Sequence, residues 1–134
     1  MPQYAVLIYA NDSAHAPEAT REQLRDCDDH HASLVATAKL HSAYAFTPRE
    51  YARTVRAHGA TDGPYNAGRD IVAGIYILNA ASIDEAAALA SKDPALISGG
   101  GVEIRPVHSG GEVVQHEPVD AEPPTNASAS SGGE

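Results

Sequence analysis

Sulfur and aromatic residues are scarce in this chain: its 134 residues include one cysteine, one methionine, one phenylalanine and no tryptophan. A single thiol, Cys27, excludes an intramolecular disulfide and suits a reducing compartment. Bases are scarce too, 9 against 18 acids, for a formal net charge of −9. Binding to phosphates needs a basic patch, so nucleic acid and an anionic membrane surface are excluded as partners. No apolar run approaches the ~20 residues of a bilayer span. The opening MPQYAVLIYAND lacks the basic start of an export signal, and a cytoplasmic location is expected. What is present is 43% hydrophobic residues, enough for one domain of this length to bury a core without a staple.

Composition changes near Gly110. Residues 112–134 hold five acids, no lysine or arginine, and a run of proline, serine and glycine. Such a segment cannot bury enough apolar surface to offset its ordering entropy. The expectation is a folded domain over 1–111 and a disordered acidic tail over 112–134. Taking the five tail acids from 18 leaves 13 against 9 bases, so the domain is only mildly acidic.

The domain alternates strand and helix patterns. Tyr4–Tyr9 (YAVLIY) reads as a strand and is broken by Asn11-Asp12-Ser13. A helix is predicted from about Pro17 to about Leu40, with Pro17 at its first position. Short strands are expected over Ala43–Thr47 and Ala52–His58, and a turn at Thr61-Asp62-Gly63-Pro64. Ile71–Leu78 (IVAGIYIL) is the most strand-like run. Ser82 and Glu85 form a capping box opening a second helix, which should stop before Pro94. Val102–Val107 supplies a last strand. This order is that of a ferredoxin-like βαββαβ α+β sandwich, with both helices on one sheet face. The strands are nevertheless apolar on both faces, with Ile71, Ala73, Ile75 and Ile77 on one side of the longest strand and Val72, Tyr76 and Leu78 on the other. A sheet with one wet face alternates apolar with polar residues. The second face is therefore expected to meet another subunit in a homodimer, or else to be covered by the tail.

Leu24, Cys27, His31, Leu34 and Ala38 follow the helical period, and His31 lies mid-stripe with His30 at its edge. His31 is either a satisfied wall residue or a general acid or base, since imidazole titrates near neutral pH. Asp93, beside Pro94, is a candidate orienting carboxylate, or else only a turn residue. Cys27 is either a small buried hydrophobe or a nucleophile. Asp28-Asp29-His30-His31 does not make a metal site, because consecutive helix residues diverge by about 100°. Glycines 99–101 are followed by neither a helix nor a Lys-Ser/Thr pair, so no phosphate cradle and no cofactor are expected. Tyr44, Phe46, Tyr65 and Tyr76 are candidates to line a substrate pocket. Arg69 and Arg105 are candidates to pair with a substrate carboxylate.

Four segments, in order, carry a family resemblance: Ala60-Thr61-Asp62-Gly63-Pro64-Tyr65, Val72–Leu78, Ser82-Ile83-Asp84-Glu85-Ala86 and Gly101–Val107 (GVEIRPV). Together they resemble the YCII-related family, in particular its Asp-Gly-Pro-Phe branch, over about residues 3–108. The resemblance implies a dimeric α/β barrel built on a ferredoxin-like fold. It implies an acid–base pair of a first-helix histidine and an aspartate after the second helix, here His31 (with His30 as the alternative) and Asp93. It implies cofactor-independent lyase or isomerase chemistry on a small oxygenated ring, as in bacterial aromatic degradation or secondary metabolism. One branch resembles an enzyme that removes chloride from a hydroxylated aromatic ring, and related barrels include muconolactone isomerases. Other members lie beside sigma-factor genes, which points instead to a ligand-binding or regulatory module. The chain departs from the branch in Tyr65 for phenylalanine, in Asn66–Asp70, and in the missing glycines of Lys39–Phe46.

Overall fold

A computed structural model describes residues 1–114. Most of the expected tail, residues 115–134, lies outside the described residues. Four antiparallel strands form the main sheet: β1 (Gln3–Ala10), β2 (Leu40–Ala45), β5 (Ile71–Asn79) and β6 (Gly101–Pro106), in the order β2-β5-β1-β6. Helix α1 (Arg25–Ala36) lies between β1 and β2 in the chain and α2 (Ile83–Ala90) between β5 and β6, with a short α3 (Pro94–Ile97) after α2. This is the ferredoxin-like α+β arrangement. A separate hairpin, β3 (Arg53–Arg56) with β4 (Gly59–Asp62), is inserted before β5. Among the described residues no helix is long and apolar enough to cross a membrane.

The core lies between the sheet and the helices. Tyr4 and Val6 of β1, and Tyr76 and Leu78 of β5, are buried against Leu34 of α1 and Ala86 and Ala90 of α2. Alanines at i and i+4 let α2 approach the sheet closely. The capping box holds: Ser82 Oγ accepts from the Glu85 N–H at 3.1 Å, and Glu85 Oε1 accepts from the Ala81 N–H at 2.7 Å. That second bond, with Lys39 at 3.1 Å, keeps the Glu85 carboxyl below its ordinary range.

On the opposite face Ile75 pairs with Leu7 on one side and Tyr44 on the other, and Ile77 pairs with Ala5. The alternation read from the sequence breaks at a β-bulge. Ile8 pairs with Gly74 but Tyr9 pairs with Val72, which makes Ala73 the extra residue. Val72 therefore sides with Ile75, and Ile71 sides with Tyr76 and is buried. Gly74 is required at this bulge, because a Cβ there would stand 2.7 Å from the Tyr44 carbonyl oxygen.

The first helix differs from expectation. Residues 21–24 form a turn, and α1 proper runs only from Arg25 to Ala36. A reciprocal box starts this segment: Thr20 Oγ1 accepts from the Gln23 N–H at 3.2 Å, and Gln23 Oε1 accepts from the Thr20 N–H at 2.8 Å. Thr37 ends it, its Oγ1 donating to the Leu34 carbonyl at 2.6 Å. Ala38 follows with φ 61°, a left-handed position usually given to glycine. Ala38 therefore lies outside the helix, and β2 begins at Leu40 rather than Ala43. Thr61 and Asp62, read from the sequence as the start of a turn, belong to the second strand of the hairpin, and its tight turn falls at Ala57-His58.

Candidate active site

Asp93 ends the loop after α2. Its backbone is extended, as a residue before proline must be, which points the side chain back over α3. Oδ1 accepts from the Ala95 N–H at 2.9 Å and caps that helix. The carboxylate is buried, at 6% side-chain exposure, and a buried charge needs partners. Its other oxygen, Oδ2, lies 3.6 Å from Nε2 of His30. The Tyr76 hydroxyl lies 3.4 Å from the same nitrogen, with the two rings edge to face at 6.0 Å. Burial first, then the charge of the neighbouring Asp93 carboxylate, holds the Tyr76 phenol well above its ordinary value. Asp93 is thus the hub onto which an amide, an imidazole and a phenol converge.

His30 belongs to α1 and its side chain is 10% exposed. Burial pushes its imidazole below the ordinary value, more strongly than the Asp93 charge pulls it up, and His31 adds to the lowering. Imidazole is therefore neutral at pH 7. Its Nδ1 makes no hydrogen bond to the described residues and is not sealed from solvent. In the tautomer with its proton on Nε2, that N–H faces Asp93 and Tyr76 and Nδ1 carries the free lone pair.

A cavity of about 570 Å³ opens beside this cluster. Ile8, Leu34, Ala43, Ala45, Ala95 and Ile97 give it apolar walls. Asp12, Ser13 and His15, from the loop after β1, form part of its rim. Arg49 holds that loop: its backbone N–H donates to Asp12 Oδ1 at 2.8 Å, and its guanidinium donates to the carbonyls of Asn11, Gly68 and Arg69. Ser13 Oγ donates to the Phe46 carbonyl at 2.5 Å. Cys27, half-buried on the same wall, has its thiol pushed up by burial and by the charges of Asp93, Asp28 and Asp26.

The structure brings together only part of the set named from the sequence. Asp93 and Tyr76 meet at the cavity, but the histidine beside them is His30, not His31. His31 is exposed, lines the same cavity and makes no hydrogen bond or ion pair among the described residues. The reason is geometric. Cys27 and Leu34, seven apart, share nearly one azimuth, and His30 and His31 flank it by about 50° on either side. Tyr44 lines the cavity while remaining 64% exposed. Phe46 and Tyr65 do not line it. Phe46 meets the rim only through its backbone, and Tyr65 is held outside under Arg56, whose guanidinium carbon lies 4.2 Å from the ring centroid. Arg69 and Arg105 are absent from the lining as well: Arg69 binds the Gly99 carbonyl and Arg105 pairs with Glu103. Missed in the sequence were the Thr20–Gln23 box, which carries its own signature, and Arg49, which carries none. Among the described residues no three histidine, cysteine or carboxylate side chains form a group that could hold a metal ion.

No curated protein matches the chain. The family description that does match, the YCII-related domain, covers residues 2–109. With that coverage, the chain belongs to the YCII-related family.

Proposed function

We propose that this protein is a cofactor-independent acid–base enzyme, a lyase or isomerase acting on a small, largely apolar, oxygenated ring. The observation that carries the reading is a neutral, largely buried His30 whose Nε2 faces Asp93 and whose Nδ1 is free, in the wall of a cavity of about 570 Å³. Cavities of this size suit small organic ligands. In the proposed reaction Nδ1 takes a proton from a carbon or hydroxyl of the ring, and Asp93 stabilises the imidazolium that forms. Tyr76, kept protonated, shares the carboxylate with His30 and holds it in place. The proton is returned to another atom of the ring for isomerisation, or the substrate expels a leaving group for elimination. Membership of the YCII-related family supports this reading without naming a substrate.

Exchange of ring-adjacent C–H for deuterium tests it. Incubation of enolisable cyclic ketones, lactones and hydroxylated rings with the protein in D₂O, followed by NMR, should show exchange that His30→Gln reduces at least about a hundredfold. His31→Gln should keep most of it. Exchange lost in His31→Gln and kept in His30→Gln would reject the assignment. Ligand binding with no exchange across the panel would favour the binding-module reading.

The working unit is proposed to be a homodimer closed through the sheet face of Leu7, Ile75 and Ile77, because two helices cover only the other face. Sedimentation should give twice the chain mass, and Ile77→Lys should shift it toward the monomer; a wild-type monomer would reject the dimer.

A further inference from the structure

We propose that the cavity selects its ligand by charge: it admits a compact ring-bearing molecule whose polar group is a protonated amine or another cation, and it turns away carboxylates, sulfonates and phosphates. This rests on the preceding reading only in taking the cavity as the substrate site.

The lining contains no lysine or arginine side chain but four aspartates, Asp12, Asp26, Asp28 and Asp93. Two of them are matched. Asp12 is paired with Arg49, and Asp93 accepts from its own cluster. Asp26 and Asp28, in the first turn of α1, form no ion pair among the described residues. Lys39 pairs with Glu85 at 3.1 Å, Arg53 with Asp62 at 2.9 Å, and Arg69 binds the Gly99 carbonyl at 3.1 Å; Arg21 and Arg25, the bases nearest in sequence, do not line the cavity. Acids in a first turn favour the helix dipole, which accounts for their presence in α1 but not for the lack of lysine and arginine in the cavity lining.

Cys27 lies within this group of charges. It sits between Asp26 and Asp28 in sequence and on the cavity wall, and after burial the charges of Asp93, Asp28 and Asp26 all act on its thiol in the same sense. A cleft with low-dielectric walls and charges of one sign concentrates the opposite ion. Three imidazoles, those of His15, His30 and His31, also line the cavity.

Because Cys27 is the single cysteine of the chain, it serves as the probe. The full chain is treated at about pH 8 and low salt with two thiosulfonates of equal size, one ending in an ammonium and one in a sulfonate. Each transfers its thio group to the Cys27 thiolate, forming a disulfide and releasing a sulfinate. Each rate is divided by the same reagent's rate with a small free thiol. The ammonium reagent should be faster by about tenfold or more, and the ratio should fall to within about threefold in the Asp26→Asn, Asp28→Asn double variant or when salt shortens the screening length. Equal normalised rates, or a faster sulfonate, would overturn the proposal. So would no reaction with either reagent, since Cys27 would then not face an open cavity. His30→Gln should leave the ratio in place. Deuterium exchange lost with the ratio kept, or kept with the ratio lost, separates the two proposals.

Discussion

Replacing Asp93 by alanine removes two things at once, and a double-mutant cycle separates them. The first is the acceptor for the Ala95 N–H, 2.9 Å away at the start of α3; losing a cap of this kind costs about 1 kcal/mol. The second is the charged neighbour of the Tyr76 hydroxyl, on a residue only 3% exposed; the hydroxyl keeps His30 Nε2 at 3.4 Å, and losing a charged neighbour at a buried hydroxyl costs about 1–2 kcal/mol. Asp93→Ala should therefore destabilise by about 2–3 kcal/mol. In a Tyr76→Phe background the hydroxyl is already gone, so the same change should cost only about 1 kcal/mol. The coupling is then about 1–2 kcal/mol, well above the few tenths expected of independent sites. Asp93→Asn keeps an acceptor for both groups and should cost less than about 1 kcal/mol. Urea unfolding of the wild type, both single variants and the double variant at pH 7.5 and one fixed protein concentration gives the four stabilities. Costs that add within experimental error would show that the phenol and the carboxylate do not interact, and the hub role of Asp93 would fall with them.

Three further predictions concern the frame and the titration of the site. Ala38→Gly should stabilise the protein by about 0.5–1 kcal/mol, because φ 61° strains a residue with a Cβ; a destabilised variant in thermal unfolding would refute this. Gly74→Ala should cost about 1–3 kcal/mol, because the added Cβ meets the Tyr44 carbonyl oxygen at 2.7 Å; unchanged urea unfolding would refute the close approach at the bulge. Acid should destabilise the fold through His30. Burial lowers its folded value, so just below the ordinary imidazole value of about 6.5 the unfolded chain binds the extra proton. Its contribution is complete above that value and declines as pH falls through it. Stability measured from pH 7.5 to 5.5 should fall less in His30→Gln than in the wild type; identical slopes would refute the assignment.

Much of the fold was legible because local signals and tertiary packing agree. The apolar run Ile71–Leu78, rich in strand formers, became β5, and Ser82 with Glu85 marked the start of α2. Disagreements arose where a tertiary contact decides. The bulge at Ala73 moved Ile71 to the other face, and no local feature of an all-apolar run announces such a shift. β4, a Gly-Ala-Thr-Asp stretch of weak strand formers, owes its form to pairing with β3. Asp93 could be picked out because the residue before a proline leaves the helix and turns its side chain back. The choice between His30 and His31 could not, since helical periodicity places them symmetrically about the line from Cys27 to Leu34. Only the position of Tyr76, in β5, and of Asp93, after α2, breaks that symmetry.

That choice is also the point on which the site stands. NMR titration of the histidine rings, in the wild type and in Asp93→Asn, addresses it directly. Burial lowers His30 and the Asp93 charge partly restores it. The curve that moves should therefore be that of His30, and it should move further down when the charge is removed. A shift confined to His31, or no shift in either ring, would contradict the His30–Asp93 pairing and the acid–base chemistry built on it.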